Sequence, residues 1–131
     1  MLPDAIKSAM QGVIPSVIVT CALDGTPNAT VISQIYYVDD THVALSHQFF
    51  NKTHRNVREN PQVWAAVICP ETMNSWELAL NFNHAETEGP VFDAMDMQIE
   101  AIASMTGMSG VFKLKAADIY EVKDVRLMPR A

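Results

Sequence analysis

The stretch Ile14-Pro15-Ser16-Val17-Ile18-Val19-Thr20-Cys21-Ala22-Leu23-Asp24-Gly25-Thr26-Pro27-Asn28-Ala29-Thr30-Val31-Ile32 carries the pattern from which the fold is read. Ile14 to Cys21 is rich in β-branched side chains, whose stiff χ1 favours the extended chain. Asp24-Gly25 then supplies a turn, and Asn28 to Tyr37 runs extended again, which is the grammar of a hairpin. A second turn at Asp39-Asp40-Thr41 leads into Val43 to Gln48, so the sequence predicts three strands laid down in succession as an antiparallel meander.

Working outward, Pro3 can start a short N-terminal helix with Ile6 and Met10 on one face and Gly12 at its end. On the other side, Phe49 to Thr53 breaks the strand and Thr53 to Asn60 reads as a short exposed helix stopped by Pro61. Val63 to Ile68 is a continuous apolar run of strand length, which predicts a strand buried on both faces. Trp76 to Glu86 alternates: Trp76, Leu78, Leu80, Phe82 and His84 share one face of a long half-buried strand, with Glu77, Ala79, Asn81, Asn83 and Ala85 on the other. Gly89-Pro90 opens the clearest helix, where Phe92, Met95, Ile99 and Ile102 recur at intervals of four or three before Gly107. Val111 to Leu114 and Ile119 to Val125 read as two closing strands separated by Ala116-Ala117-Asp118. Six or seven strands joined mostly by short turns, with two or three helices, predict a mainly β fold: a small antiparallel barrel with flanking helices.

Composition agrees with a single domain over 1–131. The chain has 131 residues, 49% of them hydrophobic and 18% charged, enough to bury a core without metal or disulfide staples. Its net charge of −6 opposes a broad grip on nucleic acid or an anionic membrane. Gly12 to Leu23 is the longest apolar stretch, and Pro15, Ser16 and Thr20 interrupt it well short of a bilayer span. Met1 to Gln11 lacks the apolar core of a signal peptide, and Cys21 and Cys69 form no C-x-x-C pair, so both read as buried thiols in a reducing cytoplasm.

Several chemistries lack their residues. There is no G-x-S-x-G elbow, no H-E-x-x-H among His42, His47, His54 and His84, and the five glycines are too scattered for a phosphate-binding P-loop. No metal site is expected. What stands out is Ser46-His47-Gln48-Phe49-Phe50-Asn51-Lys52-Thr53, polar at the end of a strand and basic at the mouth of a helix. Lys52 offers a point charge, Thr53 a hydroxyl, and the first free N–H groups of the helix point the same way, an arrangement suited to a phosphate dianion. Simple capping by Asn51 or Thr53, with Lys52, Arg55 and Arg58 solvated, explains the same residues.

The succession Gly12-Val13-Ile14-Pro15, Asp24-Gly25-Thr26-Pro27-Asn28, the strand ending in Ser46, Lys52-Thr53, Asn60-Pro61 and the closing Arg126-Leu127-Met128-Pro129 resembles the pyridoxamine 5′-phosphate oxidase-related, FMN-binding split-barrel family over nearly the whole chain. The resemblance implies a six-stranded antiparallel split β-barrel that forms a homodimer, with two FMN sites in the grooves between protomers. It places the FMN phosphate at Lys52 and Thr53, with Asn51 and Asn56 near. It lays the flavin ring along Thr30, Val31, Ile32 and Ser33 beside Ser46, His47 and Gln48, and has Trp76 or Glu77 of the other protomer close the site. Two positions depart from the family pattern: Thr53 stands where a lysine is usual, eight residues before the proline of Asn60-Pro61, and Asn28 to Tyr37 carries no arginine.

A flavin brings its own redox chemistry, so a scarcity of acid–base residues accords with an oxidoreductase acting on a small substrate. Ser33 or Ser46 near the ring's polar edge would stabilise the reduced, anionic flavin. Phe49 and Phe50 are read as half core, half rim, or as a cover for the ring. The alternative is a module that holds flavin or haem as a sensor or carrier without turnover, His47 or His84 being the haem candidates. His84 by its strand face reads as a core histidine. Met95, Met97, Met105 and Met108 read as core fillers, or as a soft lip over a pocket.

Overall fold

The hairpin pattern is realised twice, at opposite edges of one sheet. The computed structural model describes residues 2–10, 14–32, 35–47, 51–105, 107 and 114–128, with the main chain alone at 32, 46–47, 51–54 and 102–103. Its elements are β1 (Ser16–Cys21), β2 (Pro27–Ile32), β3 (Tyr36–Asp39), β4 (His42–His47), α1 (Asn51–Glu59), β5 (Gln62–Ile68), β6 (Ser75–Glu86), α2 (Pro90–Met105) and β7 (Ala116–Met128). All strands join one sheet in the order β2-β1-β5-β6-β7-β4-β3, and every neighbouring pair is antiparallel.

Seven strands stand where the family resemblance implied six, and the extra one comes from Asn28 to Tyr37. That segment is two strands: β2 pairs with β1 and β3 with β4. The expected three-stranded meander is therefore replaced by two separate hairpins. Extended propensity was read correctly, but propensity carries no information about which strand a segment pairs with. Both turns hold as expected: Gly25 takes φ +89°, Asp24 Oδ1 accepts the Thr26 N–H at 2.9 Å, and Asp39 Oδ1 accepts the Thr41 N–H at 2.8 Å.

The two outer strands are consecutive in the chain, so only a few residues carry it from one edge of the sheet to the other, and the sheet must curl. Its concave face holds one core of Ile18, Val43, Leu45, Val63, Ala65, Val67, Leu78, Leu80, Tyr120 and Val122, which come from β1, β4, β5, β6 and β7. Ile35, fully buried, joins it from the crossing between the edges. This is the split barrel that the sequence implied.

One end of the barrel is closed by the N-terminal segment. A single 3-10 turn, Asp4–Ile6, stands where a longer helix was expected. Leu2, Ile6, Ala9 and Met10 are buried in the main core. The Leu2 N–H donates to the Asp40 carbonyl at 2.9 Å, Lys7 Nζ lies 4.6 Å from the centre of the Tyr37 ring, and Ser8 Oγ is 3.4 Å from Cys69 Sγ. The Cys69 thiol in turn donates to Glu71 Oε2 at 2.9 Å. Gly12 lies outside the described residues.

On the outer face α2 sets Val91, Phe92, Met95 and Ile99 over Ala44, Ala117 and Ile119, as its periodicity predicted. Of its methionines only Met95 is buried; Met97 and Met105 are exposed, and Met108 lies outside the described residues. β7 starts at Ala116, so Ala116-Ala117-Asp118 is strand and not the expected break. Its small residues ladder with β4, Ser46 opposite Ala117 and His47 opposite Ala116. Leu114 is buried outside any strand, and 111–113 lie outside the described residues.

Two predicted faces need correction. β5 alternates instead of being buried on both sides, which leaves Trp64 48% exposed. In β6 the register shifts between Phe82 and His84, and His84 sits at the surface, its Nε2 2.8 Å from Glu86 Oε2 and its Nδ1 2.5 Å from Asn83 Oδ1. A bulge changes which face a residue takes, and periodicity cannot foresee it.

Removing Ile6, fully buried in the plug, tests that the N-terminal segment belongs to the core: Ile6→Ala should lower the unfolding free energy by about 2–4 kcal/mol in a urea titration, and a change under about 0.5 kcal/mol would place the segment outside the cooperative unit. Tyr120 is fully buried and packs edge-on to Phe82 at 5.5 Å, yet among the described residues its hydroxyl has no hydrogen-bond partner. Burial, and then the Asp118 carboxylate, push its phenol upward, so it stays neutral. Tyr120→Phe deletes that unpaired hydroxyl and should leave stability unchanged or raise it by about 1 kcal/mol; a marked loss would reveal a partner for the hydroxyl.

Candidate functional site

Three elements carry most of the residues singled out from the sequence: the end of β2, the end of β4 and the opening turn of α1. β4 ends at His47 and α1 begins at Asn51, so the helix mouth follows directly on the strand. α1 has no acidic residue in its first turn, whose main-chain N–H groups have no partners within the helix. Its body packs on β1 and β2. The helix runs from Asn51 to Glu59 where Thr53 to Asn60 was expected, so Asn51, Lys52 and Thr53 form its first turn, while Ser46 and His47 end the strand before it; for these five and for Ile32 the main chain alone is described. Ser33, Gln48, Phe49 and Phe50 lie outside the described residues.

β2 presents Thr30 and Val31 to opposite faces. Thr30 pairs with Ile18, whose side chain lies in the core, and Val31 pairs with Val17 and is 66% exposed. A ring lying on this strand therefore meets the side chain of one of them and only the backbone of the other. On the Thr30 face, Asn28 Nδ2 donates to Thr30 Oγ1 at 3.2 Å, and Asn56 Nδ2 donates to Thr20 Oγ1 at 3.0 Å. Both Asn56 and Thr20 are buried, at 3% and 0% exposure. Asn56 follows the first turn of α1, and its amide reaches inward to β1.

Trp76 does not join this group within one chain. It opens β6, pairs with Val67 and Leu127, and rests its half-buried ring on the barrel core. The register runs Val31, Val17, Ala66, Glu77, Arg126 across five strands. Three strand spacings, about 14 Å, therefore separate the Val31 position from Glu77. Glu77, not Trp76, lies on the exposed outer face.

That outer face is the feature the sequence reading missed. Val17, Val19, Trp64, Ala65, Ala66 and Glu77 line a shallow groove of about 220 Å³. On the other side of Trp64, Gln62, Ala79, Asn81 and Lys123 help to line a second depression of about 240 Å³. Trp64 is thus a ridge between two hollows, with Val17 and Val31 exposed beside it. The bulky alternate residues of Val63 to Ile68 held a clue, since a strand with a tryptophan beside alanines can leave the tryptophan outside.

Among the described residues no three His, Cys, Asp or Glu side chains gather as metal ligands, and no helix is long and apolar enough to cross a membrane. Cys21 and Cys69 are free thiols.

Similar folds occur among solved structures. An FMN-binding protein of Syntrophomonas wolfei subsp. wolfei superposes with a TM-score of 0.81 at 15% identity, covering 97% of this chain and 85% of that one. HupZ of Group A Streptococcus gives 0.74 at 19% identity, covering 100% and 97%. An F420 reductase gives 0.67 at 15% identity, covering 95% and 98%. Among curated protein sequences no significant match is found. Residues 2–123 match the family described as pyridoxamine 5′-phosphate oxidase. With the split barrel and its paired hairpins in place, the chain belongs to the pyridoxamine 5′-phosphate oxidase family.

Proposed function

We propose that the chain, as a single domain of 1–131, is an FMN-binding flavoprotein and an oxidoreductase for a small substrate, working as a homodimer in the cytoplasm. The observation that carries this reading is the acid-free first turn of α1, the next element after β4 in the chain, while the helix body packs on β1 and β2. The donor set fits a flavin mononucleotide. First-turn N–H groups, Lys52 and the Thr53 hydroxyl would hold the phosphate, with Asn51 near. The main chain of β2 at Thr30, Val31, Ile32 and Ser33 and the end of β4 at Ser46, His47 and Gln48 would carry the ring. The absence of an arginine in Asn28 to Tyr37 leaves Lys52 with a larger share of the phosphate's charge.

Bound flavin would supply the hydride or electron transfer. The chain's part is to orient the ring, to shield it with apolar strand walls, and to offer N–H and hydroxyl groups to its polar edge.

The ridge and hollows around Trp64 support the dimer. A two-fold interface sets a patch against itself, and a ridge beside a groove is self-complementary when turned over. Because Glu77 lies about three strand spacings from the β2 position in its own chain, a closing residue at Trp76 or Glu77 would have to come from the partner.

Titrating the purified protein with FMN should quench flavin fluorescence to an endpoint near one per protomer, and the absence of quenching overturns the cofactor assignment. Lys52→Ala should weaken binding by about 1.5–3 kcal/mol, the worth of one charge-assisted contact. Oxidation of NADH or NADPH separates enzyme from carrier, since a carrier holds the chromophore without turnover. Trp64→Glu should give a monomer by light scattering and lose FMN with it; a dimer that persists places the interface elsewhere.

A further inference from the structure

α1 is a strongly polar helix. Its sequence, Asn51-Lys52-Thr53-His54-Arg55-Asn56-Val57-Arg58-Glu59, holds a single apolar residue. Among its described side chains, 55–59, only Val57 and Asn56 are buried, at 1% and 3% exposure. A helix normally takes its rotational setting from an apolar stripe interlocked with a neighbour. Among the described side chains of the helix, one valine supplies the apolar anchor. The second restraint is polar: the Asn56 amide donates to Thr20 Oγ1 at 3.0 Å, from a helix to a strand 36 residues away in sequence.

We propose that the Asn56–Thr20 hydrogen bond is a positioning device for the anion site at the mouth of α1, resting on the reading of that mouth as the FMN phosphate site. Asn56 lies about one turn beyond Asn51, Lys52 and Thr53, so fixing its side chain on β1 fixes the direction of the first-turn N–H groups. The geometry of the tie suits the role. Thr20 sits on the inward face of β1 beside Ile18, fully buried, in a strand paired on both sides by β2 and β5. On that face Asn28 pairs with Thr20 in register, and its own amide reaches Thr30. Helix mouth and ring strand are thereby referred to one rigid strand, β1. Asn56 touches no ligand in this scheme; it acts through the turn that precedes it. The cost of losing the tie is high, because either partner left alone keeps a buried polar group unpaired.

The test compares FMN with riboflavin, which has the same ring and no phosphate. Thr20→Val keeps the side chain's shape and removes its oxygen. FMN affinity should then fall about tenfold while riboflavin affinity changes less than about twofold, and Thr20→Ser, which keeps the hydroxyl, should restore the wild-type ratio. Should Thr20→Val fail to fold, Asn56→Leu is measured in the same way. Equal weakening of both flavins overturns the inference, since that marks a purely structural role. So does a wild-type preference for FMN that survives the loss of the hydrogen bond, and so does a Thr20→Ser variant as impaired as Thr20→Val. A wild-type protein that binds FMN no better than riboflavin overturns the phosphate reading itself, and this inference with it.

Discussion

β6 and β7, twelve and thirteen residues long, run antiparallel along nearly their full length, and their ladder is what every other strand is added to. β5 and then the β1–β2 hairpin extend the sheet from β6, while the β3–β4 hairpin extends it from β7. The register shifts at Ala79/Leu80 and at Phe82/His84 occur within this one ladder. Bulges bend a strand and sharpen its twist, so the two shifts help turn a seven-stranded sheet into a wrapped one with a single interior. Leu78, Leu80, Tyr120 and Val122 then meet Val43 and Ile18, which come from opposite halves of the sheet. Curvature here is a property of pairing, and the core follows from the curvature.

This explains which features could be read from residues alone. Turns are local, and Asp24-Gly25 and Asp39-Asp40-Thr41 are where the pattern put them. The apolar stripe of α2 is local too, and Phe92, Met95 and Ile99 face the sheet as expected. What failed was non-local. Asn28 to Tyr37 has uniform extended propensity, yet its two halves belong to opposite edges of the sheet. Ala116-Ala117-Asp118 has weak strand propensity, yet neighbours on both sides hold it in the ladder. Trp64 was placed inside by hydrophobicity, but its alternation partners Val63 and Ala65 took the inward face.

The candidate site shows the same division. Ser46 to Thr53 was recognisable because a strand end followed by a basic helix mouth is a short-range motif. The role of Asn56 was not recognisable, because its partner Thr20 lies on a different element and looked like an ordinary strand threonine. The alternation of Trp76 to Glu86 did set Trp76 with Leu78 and Leu80 and Glu77 on the other face, and Trp76 rests on its own barrel while Glu77 faces outward.

The place of β7 in the sheet has a consequence for the order in which the fold can be assembled. β4 sits between β3 and β7, and its contacts with β7 join residues 69 to 79 positions apart. Local pairing can form β3 with β4 and β1 with β2 early, since each hairpin closes a short loop. The β3–β4 hairpin then waits, with one side of β4 unpaired, until the last strand of the sheet is available. In a growing chain that side is an open edge, and an open edge invites pairing with the wrong strand. Ser46 and His47 are on that strand, so the proposed cofactor platform is completed late, by a β7 segment whose Ala116 and Ala117 pair opposite them.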